Sequence, residues 1–321
     1  MIRLDLSNTS GFGHHYSGWS FCMSQLFSIH SDNGILFDDF VERAFCWQQN
    51  EYYTGDDSYH IPYKRDWIGV IHNPPDVPSW FDSYNSPQAI LQRPSFVESL
   101  KKCRCLIALS DYLADWIRQR VSVPVISVKH PTFIPEKKWN KHIFLSQHQI
   151  PVVQVGYWLR DLLAIRNLKC NNSYQRMWLP SDHEYAIKLL EIQERHTLDK
   201  YEKQYTWSGV TMLDRLSDEQ YCNLMNRCVV FLKMYDSSAN NAVIECIARN
   251  TPILVNKLPA VVEYLGEDYP LYFTDIQDAQ DKLHDKQKII KAHEYLKNMD
   301  KTFLSGRYFA IDLINKLEQV L

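Results

Sequence analysis

Three short segments of the chain gather small and polar residues of the kind that hold an anion or the hydroxyls of a ligand. The segment DSSANNAVIEC (236–246) ends a strand-like run and opens a helical one. Asn240 suits an N-cap, which would leave N–H groups and the positive end of the helix dipole facing a ligand. Glu245 lies more than one turn into that helix. It could reach sugar-like hydroxyls beyond an anion held at the helix start, or it could be a buried structural carboxylate with its own partner. The segment VIHNPPDVPSW (70–80) ends an apolar run at His72, and the prolines at 74, 75 and 78 forbid its continuation. His72 there is either a hydrogen-bonded structural residue or a ligand contact. In the segment SGFGHHYSG (10–18), Gly11 and Gly13 would let backbone N–H groups approach a ligand at the start of a helix. The segment fails the G-x-G-x-x-G dinucleotide pattern, because Tyr16 stands where a third small residue is needed. His14 and His15 are substrate contacts or solvated loop residues.

These segments must be positioned by the elements around them, and the hydrophobic pattern supplies those. Strands are expected at 2–6, within GILFDDF (34–40), at 67–72, 105–110 and 124–131, with helices from Gly18, over 87–102 and over 111–121. After the weakly periodic stretch 132–150, strands at 151–156, 176–180, 229–235, 252–256 and 269–273 alternate with helices at 182–196, 218–227, 241–249 and 259–266. Ser217 and Gln220 form a capping box at the start of the helix 218–227. Three helical stretches end the chain. Strand and helix alternation on this scale indicates parallel sheets covered by helices, with ligands at the carboxyl ends of the strands. The expected fold is α/β, two Rossmann-like doubly wound domains facing each other across a cleft. The first spans 1–135 and the second 136–304, and 305–321 forms a C-terminal helix returning to the first domain.

Composition excludes several classes. The 321 residues are 45% hydrophobic and 23% charged, which argues against disorder. The balance of 35 Lys+Arg against 38 Asp+Glu offers no broad cationic face, so no nucleic-acid partner is expected. Eight cysteines show no C-x-x-C pair and read as buried reduced thiols. No secretory signal or membrane-length apolar run is visible, so a cytoplasmic protein with at most peripheral membrane contact is expected. Only ten glycines occur, so each loop that keeps one is worth examining.

With these residues in view, the block Val229–Phe273 resembles the donor-binding half of the GT-B glycosyltransferases, the large retaining family of nucleotide-sugar enzymes. The matching features are the strand Val229–Tyr235, the loop Asp236–Asn241, Glu245, the turn Asn250-Thr251-Pro252, the strand Ile253–Asn256 and Glu263. Asn250 takes the place of the family's glycine and is expected in the left-handed conformation. The glycine loop, His72, CLIALSDYL (105–113), QVGYWLRD (154–161) and SGRYFAIDLINKL (305–317) follow the family's order.

The resemblance implies transfer of a sugar from a nucleoside-diphosphate sugar to a glycan or other hydroxyl acceptor, with retention, without a metal and without a cofactor. It implies that His72 and Glu245 act on the sugar. Gly13, Gly156, Arg160, Asp236, Ser237, Ser238, Asn240, Asn241 and Glu245 would hold the donor. His14, His15, Tyr16 and Asn73 would lie on the acceptor side, where the aromatics near Asn73–Trp80 suit stacking on sugar rings. One departure stands out. The family carries two glutamates separated by seven residues, and Ser237 falls at the first, so Asp236 or the backbone of Ser238–Asn241 would take its role. Arg166 and Lys169 are candidates for the family's phosphate-binding lysine. The adjacent acids Asp38 and Asp39 would diverge on an extended segment and so make a poor cation site. A catalytically silent GT-B scaffold or a nucleotide-sugar epimerase is the alternative.

Overall fold

The computed structural model describes residues 2–9, 18–47, 60–180, 182–201 and 209–321. Strands β1 (Leu4–Asp5), β2 (Ile35–Asp38), β3 (Trp67–Ile71), β4 (Cys103–Ala108) and β5 (Val125–Ser127) lie side by side in chain order and are all parallel. Every residue of β3 is buried, as expected for a strand covered on both faces. Its side chains alternate. Trp67 and Ile71 pack with Phe96, Leu113 and Ile117, whereas Ile68 and Val70 pack with Trp19, Met23, Phe309, Leu313 and Leu317. The last three come from the helix Gly306–Val320, so the end of the chain covers one face of the sheet formed by its beginning. Lys316 Nζ also donates to the Ser127 carbonyl at 2.8 Å.

The second sheet holds β6 (Ile150–Val155), β7 (Tyr174–Leu179), β8 (Val210–Met212), β9 (Val229–Leu232), β10 (Ile253–Asn256) and β11 (Tyr272–Phe273). Their order is β11-β10-β9-β6-β7-β8, again parallel throughout. The chain therefore winds outward from β6 to β8, then returns to the other side of β6 and winds outward again. The reversal leaves a crevice between the carboxyl ends of β6 and β9. The architecture is α/β, with two Rossmann-like domains.

Three expectations need correction. The helix expected over 87–102 is two helices, Pro87–Ile90 and Pro94–Leu100. Pro94 supplies no N–H and pushes Arg93 to an extended ψ of 130°, which breaks the helix and starts the next. The stretch 132–150 contains the helix Lys141–Ser146, capped by Asn140 Oδ1. The edge strand β8 has no counterpart among the expected strands, because its half-buried and exposed residues leave no apolar pattern. The capping box at Ser217 and Gln220 is present, and Asn250 ends the helix Asn241–Arg249 at φ 58° and ψ 28°. None of the eight cysteines is in a disulfide, and six are buried.

The two domains meet through apolar as well as polar contacts. Phe81, in the loop after β3, inserts among Leu159, Leu162, Trp178 and Leu189 of the second domain, its ring edge-on to Trp158 at 5.0 Å. The docking of the last helix is testable. Phe309 is 1% exposed and stands edge-on to Trp19 at 6.3 Å. Phe309→Ala should lower stability by about 3–5 kcal/mol in urea unfolding. A loss under about 0.5 kcal/mol, the range of substitutions on an open surface, would show that the helix does not cover this face.

Candidate active site

At the reversal point, the loops after β6 and β9 are tied together. Asp161 N donates to the Lys233 carbonyl at 2.8 Å and Tyr235 N to the Leu159 carbonyl at 2.9 Å, with Arg160 and Met234 bridging in antiparallel fashion. The tight path after β6 needs two left-handed residues, Gly156 at φ 76° and Leu159 at φ 53°. At Gly156 a Cβ would stand 3.2 Å from the Arg160 guanidinium carbon, so glycine makes room for that cation as well as for the turn. Leu159 in this conformation is strained, as is common where a loop serves a site. Arg160 donates through Nε to the Val155 carbonyl at 3.0 Å and through Nη2 to Asn240 Oδ1 at 3.4 Å. Burial lowers its pKa to about 10, which still leaves it charged at neutral pH.

Asn240 joins this cation to the helix Asn241–Arg249. Its Oδ1 accepts from Val243 N at 3.3 Å, which caps the helix and leaves the other first-turn N–H groups without intrahelical acceptors. A guanidinium and a helix N-terminus thus converge on one end of a cavity of about 260 Å³ between the domains.

The opposite wall comes from the ends of the first-domain strands. Glu42 is fully buried, and its Oε1 accepts from His72 N at 2.8 Å and Asn73 N at 2.7 Å, which fixes the turn after β3. Burial pushes the Glu42 carboxyl up to about 7. The His72 ring stacks on Phe40 at 3.8 Å and meets the edge of Trp19 at 4.5 Å. His72 Nε2 is 2.9 Å from the Asp39 carbonyl, which can only accept, so Nε2 carries the proton and Nδ1 is an acceptor. Burial lowers the His72 pKa to about 3, and the ring is neutral at physiological pH. Asp38 and Asp39 do diverge. Asp38 accepts from Tyr63 Oη at 3.1 Å and Asp39 from Trp19 Nε1 at 3.0 Å.

Two carboxylates of the second domain close the cleft. Asp236 Oδ2 accepts from Asp76 N at 2.8 Å and from Tyr112 Oη at 3.1 Å, and burial raises its pKa. Glu263 accepts from Asp111 N at 2.8 Å and Tyr112 N at 2.7 Å and pairs with Lys129 at 2.7 Å. It caps a first-domain helix, Asp111–Arg118, from across the interface. Ser238 Oγ lies 3.3 Å from Ser110 Oγ.

Most of the expected site residues come together. His72 and Asn73 line the cavity from the first domain, and Arg160, Asp236–Ser238, Asn240 and Asn241 line it from the second. Gly156 lies against Arg160. Glu245 is placed otherwise. The residue is 1% exposed, and its carboxylate accepts from Tyr221 Oη at 2.5 Å and lies 3.9 Å from Arg249, one turn further along the same helix. It therefore faces the interior and is not among the residues lining the cavity. Arg166 is buried against Glu194, and Lys169 is exposed, so neither supplies the cavity with a second cation. Gly13, His14, His15 and Tyr16 lie outside the described residues. Sequence reasoning missed His130, Trp19, Phe40 and Trp158, all on the cavity wall. His130 stands three residues beyond the end of β5, and His72 directly after β3, so a search of strand ends that reached a few residues further would have found it. The three aromatics carried no such signal.

Known structures share this fold. HepE from Anabaena, solved with UDP and glucose, aligns over 79% of this chain and 72% of its own, at 14% identity and a TM-score of 0.57. TarM from S. aureus, a point mutant solved with UDP among its ligands, aligns over 93% and 58% at 11% identity and a TM-score of 0.60. Sucrose-phosphate synthase from Thermosynechococcus elongatus aligns over 89% and 73% at 12% identity and a TM-score of 0.59. These structural neighbours are GT-B glycosyltransferases, and the fold here is theirs. No protein-family model matches the sequence, and no curated protein matches it at a significant level.

Two outcomes follow from this geometry. The Hε1 resonance of His72, assigned by its loss in His72→Gln, should titrate with a midpoint below about pH 5, because burial opposes the charged ring. A midpoint near 6.5 would mean that the ring is solvated. Glu245→Ala should cost about 3–5 kcal/mol in denaturant unfolding, since it removes the carboxylate that faces the buried Arg249. A change under about 1 kcal/mol would refute the interior role.

Proposed function

We propose that this chain is a glycosyltransferase that binds a nucleoside-diphosphate sugar in the cavity between its domains and passes the sugar to a hydroxyl acceptor. The observation that carries this reading is the convergence of Arg160 and the N-terminus of helix Asn241–Arg249 at the crevice between β6 and β9, opposite His72. A diphosphate is the ligand such a place suits. It is an anion, and oriented N–H groups with one guanidinium neutralise it without reorganising. The UDP of the HepE and TarM structures agrees with this choice of ligand.

In the reaction, the acceptor oxygen forms a bond to the anomeric carbon of the sugar. The bond from that carbon to the β-phosphate oxygen breaks, and its electron pair leaves with the nucleoside diphosphate. The acceptor's proton passes to the departing phosphate. Charge accumulates on that phosphate in the transition state, where Arg160 and the helix dipole oppose it. Neutral His72, with Nδ1 an acceptor, would take a hydrogen bond from a donor-sugar hydroxyl. Retention follows from the resemblance to the retaining family. Metal independence is part of the proposal, supported by the same resemblance and by the charge that Arg160 and the helix would supply. Glu245 acts through the helix it anchors. Among the described residues no helix is long and apolar enough to cross a membrane, and cytoplasmic action on a glycan is the reading adopted.

A second reading is favoured by one observation. Ser237 stands where the family has its first glutamate, and the neighbouring Asp236 carboxylate is engaged by Asp76 and Tyr112. A scaffold that binds the donor and does not turn it over would fit these facts.

The test uses a panel of labelled nucleotide sugars. Transfer or slow hydrolysis of one of them supports the enzyme, and binding without either supports the scaffold. Arg160→Ala should weaken UDP binding in calorimetry by at least about tenfold, or about 1.4 kcal/mol. An unchanged affinity in the folded variant would sink the assignment of Arg160 to the diphosphate.

A further inference from the structure

A second cavity, of about 440 Å³, opens beside the first, and Phe40, Asn73 and Trp158 line both. Its other walls come from both domains. Trp47, Asp82 and Asn85 belong to the first, and Tyr157 and Tyr185 to the second. Five of these eight residues are aromatic, and none is Lys or Arg. We propose that this cavity is the acceptor subsite and that it takes an uncharged pyranoside, not a sugar phosphate. The proposal rests on the donor reading above and names the substrate class for the other half of that site.

The rings are held for stacking. Trp47 is 45% exposed, its ring 5.1 Å from Phe40, which in turn is stacked on His72. With the Asn85 amide oxygen turned toward the indole, Trp47 Nε1 donates to it at 2.9 Å. Asn85 is itself buried and held by Asn73 Nδ2, which donates to its carbonyl at 2.9 Å. Across the cavity, Tyr185 is edge-on to Tyr157 at 5.6 Å and donates through Oη to Asp82 Oδ2 at 2.9 Å.

A pyranose presents C–H groups on its faces and hydroxyls around its rim. Aromatic faces carry negative charge that attracts the C–H groups, and Asp82 and Asn73 offer polar partners to the rim. A phosphate in the same place would meet electron-rich ring faces and the Asp82 carboxylate, with no Lys or Arg among the described lining residues. Acceptor choice would then differ from the one that the name sucrose-phosphate synthase implies for that neighbour. Because Phe40 and Asn73 are shared walls, an acceptor here lies next to the sugar end of a donor whose diphosphate is at Arg160.

Calorimetry on the full chain separates the two claims. UDP is titrated first, and the UDP-loaded protein is then titrated with maltose, cellobiose and glucose 6-phosphate. At least one neutral disaccharide should bind more tightly than glucose 6-phosphate. Trp47→Ala should weaken that binding by at least about tenfold, while Trp47→Phe stays within about threefold and both keep the wild-type UDP affinity. Tighter binding of glucose 6-phosphate, no binding of either disaccharide, or an unaltered affinity in Trp47→Ala would each overturn the acceptor proposal. Failure of UDP to bind the wild-type chain would overturn the donor reading on which it stands.

Discussion

Asp236 and Glu263 of the second domain bond to backbone N–H groups of the first, and the distance between the facing strand ends depends on those bonds. A carboxylate loses hydration when it enters an interface, and accepting backbone N–H bonds offsets that loss. Glu263 takes two N–H groups at the start of the helix Asp111–Arg118, where the dipole favours negative charge. Asp236 takes the N–H of Asp76 and the hydroxyl of Tyr112. With Phe81 inserted among second-domain side chains, these contacts bring His72 and Arg160 to opposite walls of one cavity. The cavity is a property of the pair of domains, since neither contributes both walls.

Within that frame, the second domain acts chiefly through its backbone. The left-handed turn at Gly156 and Leu159 brings Arg160 to the helix start, and Asn240 connects the guanidinium to the capped helix. This arrangement bears on Ser237. Where the family resemblance leads one to look for a carboxylate, the chain has a hydroxyl on a loop whose charge comes from N–H dipoles and one arginine. Glu245 contributes from behind, because its contacts with Tyr221 and Arg249 anchor the same helix in the core.

The first domain contributes groups whose protonation is displaced in opposite directions by loss of hydration. His72, lowered to about 3, favours the folded state above its unfolded pKa near 6.5, and that contribution is lost as pH falls toward 3. Glu42 and Asp38, both raised to about 7, favour it below their unfolded values near 4, and that contribution is lost as pH rises through 7. The two effects oppose each other between about pH 4 and 6.5. What they share is a position at the strand ends, where a neutral imidazole is held between Phe40 and Trp19.

The alternation of strands and helices, the caps at Ser217 and Asn240, and the left-handed Asn250 were all legible in the order of the amino acids. Each depends on neighbours a few residues away, so local patterning suffices. Most of the donor wall was legible too, because strand ends and helix starts are local features and ligands gather at them. The break at Pro94 is equally local, since the proline itself dictates it. The direction in which Glu245 faces emerged only with packing, since its partner Tyr221 is 24 positions away and burial on a helix depends on what lies against it. The pairing of Phe40 with His72, the bonds from Glu42 to the turn after β3, the interdomain contacts of Asp236 and Glu263, and the aromatic cavity at Trp47 and Tyr185 are of the same kind. They join residues from about 30 to 160 positions apart, and no pattern within a single element encodes which ones will meet.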